Sequence, residues 1–272
     1  MRIGVFDSGI GGLTVLRALR AALPGHHYTY LGDTARIPYG TRSPLTVQRY
    51  AMAVASYLHR EGVDALVVAC NTATAHALPQ LQAAGAQAGI PVFGVIEPGV
   101  QAALAAPGDG PIAVLGTEGT IRGGAYQAAL LRHAPDRQVQ AVACPLFVPL
   151  VEEGWTSGGV PEAVAQTYVG HLRGRASVAI LGCTHYPLLR AVLDAVLPGT
   201  HLVDSASATA AAVKQVLGDA PGCGSVRYLV TDHIERFVSV GTRFLGAQPD
   251  PVTWVDLGEP TAPFALAAPA AP

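Results

Sequence analysis

The chain has 272 residues, of which 50% are hydrophobic and 13% are charged, and its formal net charge is −2. Such an apolar composition argues against disorder for most of the chain, and the small net charge disfavours a nucleic-acid or anionic-membrane partner. Apolar runs stay below membrane-spanning length and the first residues predict a strand, not a signal peptide, so we expect a cytoplasmic protein. The length is that of two ordinary domains.

Apolar runs of strand length alternate with amphipathic helical patterns along the chain. The predicted strands lie at 2–6, 28–31, 64–69, 91–95, 111–115, 139–143, 177–181, 201–203 and 226–230. The predicted helices lie at 12–22, 44–61, 72–84, 119–133, 160–173, 186–196, 205–217 and 232–245. Continuous Val, Ile and Leu runs between helices are typical of βαβ units, so the sequence predicts an α/β fold with mainly parallel sheets.

Two stretches of the chain resemble each other: IGVFDSGIGG at 3–12 and IAVLGTEGTIRGG at 112–124. Each combines an apolar strand, a loop of small or hydroxyl-bearing residues and the start of a helix. A cysteine follows at a similar distance in each half, Cys70 in ACNTAT and Cys183 in GCTHYP. This spacing predicts two related halves, each of which contributes one cysteine turn to a shared cleft.

The second half is complete by about residue 207, although a further strand and helix follow it. We therefore predict a discontinuous first domain, 1–97 plus 208–259, around a second domain at 98–207. Ligands of such α/β folds bind at the carboxyl ends of the strands, so we expect the site in the cleft between the two pseudo-symmetric domains. The Ala/Pro-rich residues 260–272 predict a disordered tail.

Both cysteines of the repeat lie where a strand ends and a helix begins. The positive end of the helix dipole and free backbone N–H groups at such a turn favour a thiolate. A cysteine that only packs is the common alternative, but hydrogen-bonding residues follow each one: Asn71 and Thr72 in one turn, Thr184 and His185 in the other. Two opposed thiols suit inversion at a carbon acid, because one removes a proton while the other delivers a proton to the opposite face.

Further polar residues fall at matching strand ends and loops. Asp7 and Ser8 end the first strand, where a carboxylate could orient a thiol and the next glycines could offer N–H groups to an anion. Thr117 and Thr120 lie in the corresponding loop and could bind a carboxylate, and Glu152 lies in the loop that corresponds to PYG at 38–40. Capping accounts for Asp7, Ser8 and the two threonines equally well. For Glu152 taken alone, a place on a helix surface is the better account at this point.

Other cysteine and histidine chemistry is less well supported. His185 could bind a metal together with Cys183, but C-x-H is not a zinc spacing and further ligands are not clustered in the sequence, so we expect no metal. Cys144 and Cys223 lie away from the two turns and are predicted to be structural or incidental.

Taken together, these stretches resemble the glutamate racemases, cofactor-independent enzymes that interconvert L- and D-glutamate for bacterial peptidoglycan. The resemblance runs through FDSGIGGLTVL, YLGDTARIPYGTRS, ACNTATA, GTEGTI, CPLFVPLVEEG, LGCTHYPLL and VDSA, and so covers nearly the whole chain. It implies a two-domain α/β fold with the active site between pseudo-symmetric halves, glutamate as the substrate, no cofactor and, as often in the family, a homodimer.

The resemblance also implies a role for each matching residue. Cys70 and Cys183 are the paired acid and base, and in the family the first serves D-glutamate and the second L-glutamate. Asp7 assists the first thiol, whereas His185 and Glu152 assist the second. The substrate is held by Asp7, Ser8, Pro38, Tyr39, Gly40, Asn71, Thr72, Thr117, Thr120, Thr184 and His185.

Three other function classes stay open on the sequence. Aspartate and hydantoin racemases share the two-cysteine design, although PYGTRS and GCTHYP favour glutamate. A non-catalytic module could bind a small anion at the same turns and would not exchange an α-hydrogen with solvent. A thiol redox protein would form a reversible disulfide between the two turn cysteines.

Overall fold

The structure, a computed structural model, describes residues 1–258 of the chain. Within these residues ten strands form two sheets. The strands are β1 (Arg2–Asp7), β2 (His27–Gly32), β3 (Ala65–Val68), β4 (Val92–Gly94), β5 (Ile112–Gly116), β6 (Val139–Ala143), β7 (Val178–Gly182), β8 (His201–Asp204), β9 (Val226–Val230) and β10 (Val252–Trp254). The tail predicted at 260–272 lies outside the described residues, and its disorder stays a prediction.

Helices cover the sheets on their faces. They are α1 (Leu13–Ala22), α2 (Pro44–Arg60), α3 (Asn71–Ala88), α4 (Ile96–Ala105), α5 (Glu118–Gly123), α6 (Ala125–His133), α7 (Phe147–Glu152), α8 (Gly159–Val169), α9 (Arg190–Val196), α10 (Ser205–Leu217) and α11 (Ile234–Leu245). Every residue of β3, β5 and β7 is buried. Their uninterrupted apolar sequences follow from this burial, since a strand covered on both faces has no solvent side. No helix within residues 1–258 has the length and apolar character to span a membrane.

Four adjacent strands of the first sheet have the same order as the four strands of the second. The first runs β10-β9-β2-β1-β3-β4 and the second runs β6-β5-β7-β8, so β1 corresponds to β5 and β3 corresponds to β7. Every strand pairing in both sheets is parallel. The predicted α/β fold with two pseudo-symmetric halves is confirmed, and the cysteine turns follow the corresponding strands β3 and β7.

The C-terminal strands join the first sheet. β9 pairs with β2, and β10 pairs with β9, so the chain after α10 returns to the sheet in which it began. The limits predicted for the domains, 1–97 plus 208–259 and 98–207, stay a prediction.

Most predicted helices have different bounds in the structure, and two of them also differ in kind. The helix predicted at 119–133 is two helices, because Gly124 adopts a left-handed φ of 67° that ends α5 before α6 begins. The helix predicted at 186–196 starts as a 3₁₀ turn, Tyr186–Leu189, and is α-helical only from Arg190 onwards.

The sequence analysis missed three short elements: β10, α4 and α7. Pro98 and Gly99 lie inside the first turn of α4, and Pro149 lies in α7. Proline and glycine are typical of loops, although proline is tolerated in a first helical turn, where the N–H it lacks has no intrahelical partner. β10 has only three residues and is defined by its pairing with β9.

Candidate active site

A cavity of about 340 Å³ opens between the two halves, where the strands of both sheets end. This volume lies at the lower end of the range for small-molecule sites. The first half contributes Ser8, Gly9, Ile10, Ile37, Pro38, Tyr39, Gly40, Thr41, Cys70, Asn71 and Thr72, and the second contributes Thr117, Glu118, Thr120, Pro145, Val148, Pro149, Glu152, Cys183, Thr184 and His185. Every predicted site residue except Asp7 therefore lines the cavity.

Cys70 lies at the start of α3 and serves as its N-cap. The backbone N–H of Ala73 donates to the sulfur at 3.4 Å, and the thiol donates to Ser8 Oγ at 3.4 Å. Burial, together with the nearby Asp7 carboxylate, nevertheless raises the pKa of Cys70 to about 12. The N–H contact at the helix terminus stabilises the anion, as expected, but loss of solvation outweighs that contact, so the thiol is the favoured form.

Asp7 lies beneath the cavity, behind its wall, with 1% of its surface exposed. Its Oδ2 accepts the N–H of Gly9 at 2.9 Å, whereas its Oδ1 has no hydrogen-bond partner among the residues that the structure describes. Burial raises the pKa of Asp7 above its ordinary value, against the opposing effects of the positive His185 ring and of backbone N–H groups. The predicted substrate contact of Asp7 stays a prediction, because other residues form the cavity wall.

Cys183 lies at the opposite turn and contacts a histidine–carboxylate pair. Its sulfur is 3.9 Å from His185 Nδ1, and His185 Nε2 is 3.1 Å from Glu152 Oε1. Burial alone would lower the pKa of His185, but the interactions with Cys183 and Glu152 outweigh it and raise that pKa to about 10. The ring is therefore protonated at neutral pH, with one nitrogen facing the sulfur and the other facing the carboxylate.

Glu152 is held from a second side by residues of α11. Arg236 Nη2 donates to Glu152 Oε2 at 3.0 Å, and Arg243 Nη1 donates to the Glu152 backbone carbonyl at 2.6 Å. Burial would raise the pKa of Glu152, but His185 and Arg236 lower it below its ordinary value. Sequence reasoning missed both arginines, since each resembles an ordinary surface residue of an amphipathic helix and lies more than 80 positions from its partner.

Three threonine hydroxyls meet across the cleft. Thr72 Oγ1, from the first half, lies 2.9 Å from Thr117 Oγ1 and 3.0 Å from Thr120 Oγ1, and the latter two are 3.0 Å apart. Thr117 is also the N-cap of α5, so capping and a place on the cavity wall are compatible for this residue.

Two further cavity residues of the first half are hydrogen-bonded to residues behind the cavity wall. Tyr39 lines the cavity and donates through its hydroxyl to the fully buried Asp33 carboxylate at 2.6 Å. Asn71 Oδ1 accepts the Tyr126 hydroxyl at 2.7 Å, and Asn71 Nδ2 lacks a partner within residues 1–258. The sequence analysis singled out neither Asp33 nor Tyr126, although Asp33 lies in the quoted YLGDTARIPYGTRS stretch.

The glycine loop that follows β1 packs closely against the second half of the molecule. A Cβ atom on Gly11 would lie 2.2 Å from Thr184 Oγ1 and 2.4 Å from His185 Nδ1, so only glycine allows this approach. Gly11 of DSGIGG therefore allows the two halves to pack closely at His185.

The remaining cysteines lie off the cavity wall: Cys144 is buried and Cys223 is exposed. Within residues 1–258 no group of three or more His, Cys, Asp or Glu side chains is arranged to hold a metal ion. A second concavity, of about 350 Å³, lies at the amino ends of β5, β7 and β8. Small residues and backbone form most of its wall, and Arg175 is the titratable side chain in it.

Comparison with known proteins adds an independent result. The sequence model of a family described as Asp/Glu/Hydantoin racemase matches residues 12–213. The glutamate racemase of Aquifex aeolicus is 47% identical over 251 residues, which cover 92% of this chain and 96% of that protein. That of Geobacter metallireducens is 48% identical over 263 residues, which cover 94% of this chain and 96% of that protein.

Solved structures give a similar result. The crystal structure of the Thermus thermophilus glutamate racemase in complex with β-chloro-D-alanine has a TM-score of 0.85 and 44% identity, and covers 94% of this chain and 97% of that one. The Francisella tularensis glutamate racemase in complex with D-glutamate has a TM-score of 0.88 and 35% identity, and covers 94% of this chain and 98% of that one.

Proposed function

Because the chain belongs to the Asp/Glu/hydantoin racemase family, we propose that it is a glutamate racemase that moves the α-proton between two cysteines without a cofactor. One observation carries the proposal: Cys70 and Cys183 follow corresponding strands of the two sheets, and both line the same cavity. A substrate between these two turns exposes opposite faces of its α-carbon to them. Inversion requires this arrangement, because the proton leaves one face and arrives at the other.

The polar lining suits an amino acid with two carboxylates and one ammonium group. Hydroxyls of Ser8, Thr72, Thr117 and Thr120 and the free Nδ2 of Asn71 offer hydrogen bonds. The residues that line the cavity include neither lysine nor arginine. Neutral donors bind the carboxylates without over-stabilising the ground state, which leaves binding free energy for the transition state.

In the L-to-D direction the reaction begins at Cys183. The Cys183 thiolate removes the α-hydrogen of L-glutamate, and the Cys70 thiol donates its proton to the opposite face of the planar carbanion. One C–H bond breaks and another forms at the same carbon, while Cys183 gains a proton and Cys70 loses one. The products are D-glutamate, a Cys70 thiolate and a Cys183 thiol. The high pKa of Cys70 keeps its proton available for donation.

Charged groups on each side assist the two sulfurs. Protonated His185, with Glu152 behind it, supplies positive charge beside Cys183. Asp7 lies on the Cys70 side, where burial raises the pKa of its carboxyl above the ordinary value. In the reverse direction Cys70 removes the α-hydrogen of D-glutamate and Cys183 donates.

The family resemblance extends the proposal beyond the reaction. We propose that the enzyme supplies D-glutamate for peptidoglycan synthesis, acts in the cytoplasm and forms a homodimer. Light scattering of the purified protein tests the homodimer directly.

The reaction is tested by incubating the protein with L-glutamate in D₂O and EDTA, without added cofactor. Optical rotation and the α-proton NMR signal are followed together. We expect loss of rotation together with entry of deuterium at the α-carbon. Binding of glutamate without exchange would instead support a non-catalytic module. Exchange with aspartate or a hydantoin, but not with glutamate, would assign a different substrate within the same family.

A further inference from the structure

Arg236 joins the two halves of the molecule beside the cavity. It lies on α11, which follows strand β9 of the first sheet, and it reaches Glu152 at the end of α7 in the second half. Its Nη2 donates to Glu152 Oε2 at 3.0 Å and lies 3.5 Å from Glu153 Oε1. The contact thus connects two elements that belong to different sheets.

The two carboxylate oxygens of Glu152 have different partners. Oε1 faces His185 Nε2 at 3.1 Å, and Oε2 accepts from Arg236. Arg243 holds the backbone carbonyl of the same residue at 2.6 Å. With both oxygens and the carbonyl engaged, the carboxylate is not free to rotate away from the His185 ring, and a charge-assisted contact of this kind is among the stronger hydrogen bonds in proteins.

We propose that Arg236 is a positioning residue for proton transfer at Cys183: by holding Glu152, it holds the His185 ring against the Cys183 sulfur. This inference rests on the proposed racemase function. Arg236 does not line the cavity, so it acts on the reacting atoms through Glu152 and His185. Because Arg236 comes from the other half, the proposal also makes this arrangement dependent on the contact between α11 and α7.

The effect is confined to one of the two thiols. Cys70 donates a hydrogen bond to Ser8, accepts one from the Ala73 N–H, and has no direct contact with Glu152 or Arg236. Loss of Arg236 therefore slows proton removal by Cys183 and leaves proton removal by Cys70 as it was. L- and D-glutamate are mirror images with equal free energies, so kcat/KM must fall equally in both directions. A different observable is therefore needed to distinguish the step at Cys183 from the step at Cys70.

Deuterium isotope effects supply that observable. When the step at Cys183 becomes slower, it limits the overall rate more strongly. In the proposed mechanism Cys183 removes the hydrogen of L-glutamate, so the isotope effect on kcat/KM rises for α-deuterated L-glutamate. For α-deuterated D-glutamate, whose deuterium Cys70 removes, the isotope effect falls. A general loss of structure lowers the amount of active enzyme and changes neither isotope effect.

The test compares Arg236→Gln with Glu153→Gln, which removes the other partner of the same guanidinium. We expect Arg236→Gln to lower kcat/KM about 10-fold and to shift the two isotope effects in opposite directions, while Glu153→Gln leaves both unchanged. The Arg236 side chain is 47% exposed, which favours retention of the fold. If Arg236→Gln proves unstable, Arg236→Lys keeps a cation without the planar fork and should show the same opposed shifts at smaller size.

The outcomes separate this inference from the function on which it rests. Wild-type isotope effects in Arg236→Gln, or shifts of the same sign for both enantiomers, would overturn the positioning role. A wild-type protein that exchanges no α-hydrogen of glutamate would refute the proposed function itself.

Discussion

The hydroxyl of Tyr126, on α6 of the second half, donates a 2.7 Å hydrogen bond to Asn71 Oδ1, on α3 of the first half. Because Oδ1 is engaged, the Asn71 amide has one orientation, and its Nδ2 is left without a partner within residues 1–258. A residue buried in one half thereby directs a hydrogen-bond donor in the other half.

Tyr126→Phe should weaken glutamate binding. The amide of Asn71 loses the partner that orients it, so we expect KM to rise roughly 3- to 10-fold for both enantiomers with a smaller change in kcat. Steady-state kinetics in both directions measure this. Tyr28→Phe is the matched control, because it removes another buried tyrosine hydroxyl, bonded to Leu19 and Leu23, away from the cavity. An unchanged KM in Tyr126→Phe would contradict the orienting role of the hydroxyl.

Removal of one thiol should leave one-sided exchange. Cys183→Ala is expected to lower racemisation by about 10²- to 10⁴-fold. D-glutamate should still take up deuterium at its α-carbon, because Cys70 can remove the α-proton, exchange it with D₂O and return a deuteron to the same face. Cys70→Ala should show the reverse, with exchange into L-glutamate alone. NMR in D₂O measures both reactions, and Cys223→Ala, at an exposed position off the cavity wall, serves as control. The two-thiol mechanism fails if either alanine variant exchanges both enantiomers.

Glu152→Gln should destabilise the fold in a defined pH window. The pKa of His185 is raised from 6.5 to about 10 in the folded state, so its protonated form stabilises the fold fully below about pH 6.5, and this contribution disappears as the pH rises towards 10. The pKa of Glu152 is lowered, so its contribution requires a pH above its ordinary pKa of 4.5 and is lost on further acidification.

We therefore expect Glu152→Gln to lower the free energy of unfolding by about 1–3 kcal/mol between pH 5 and 6.5, with the difference diminishing towards pH 10. Urea denaturation across this range measures the difference, and Glu153→Gln is the control. A difference that grows as the pH rises would show that the protonated His185–Glu152 pair does not stabilise the fold.

Gly11→Ala should disturb the contact between the β1 loop and His185. The added methyl group would lie 2.2 Å from Thr184 Oγ1 and 2.4 Å from His185 Nδ1, so one side must move. We expect a loss of stability of about 1–3 kcal/mol and a fall in kcat/KM. Thermal unfolding and racemase assays test this against Gly159→Ala, where the added Cβ meets nothing within 4 Å. Full activity in Gly11→Ala would mean that the loop adjusts without disturbing the ring.

The fold class, the internal repeat and the chemical character of the site were predictable from the sequence. Buried parallel strands need uninterrupted apolar residues, so β3, β5 and β7 were predictable from local composition. Polar residues directly after such strands must lie at the carboxyl edge of the sheet. Thirteen of the fourteen predicted site residues consequently line one cavity, and the exception, Asp7, lies just behind it.

The residues that support the cavity wall, and the protonation states of the site, depend on tertiary packing and could not be predicted from the sequence. Arg236, Tyr126 and Asp33 each meet their partner through packing between elements. Arg236 lies 84 positions after Glu152, and no sequence pattern indicates that the two residues pair. The protonation of Cys70 was equally beyond the sequence: a helix N-terminus favours a thiolate, burial favours a thiol, and their balance depends on how much water the surrounding fold excludes.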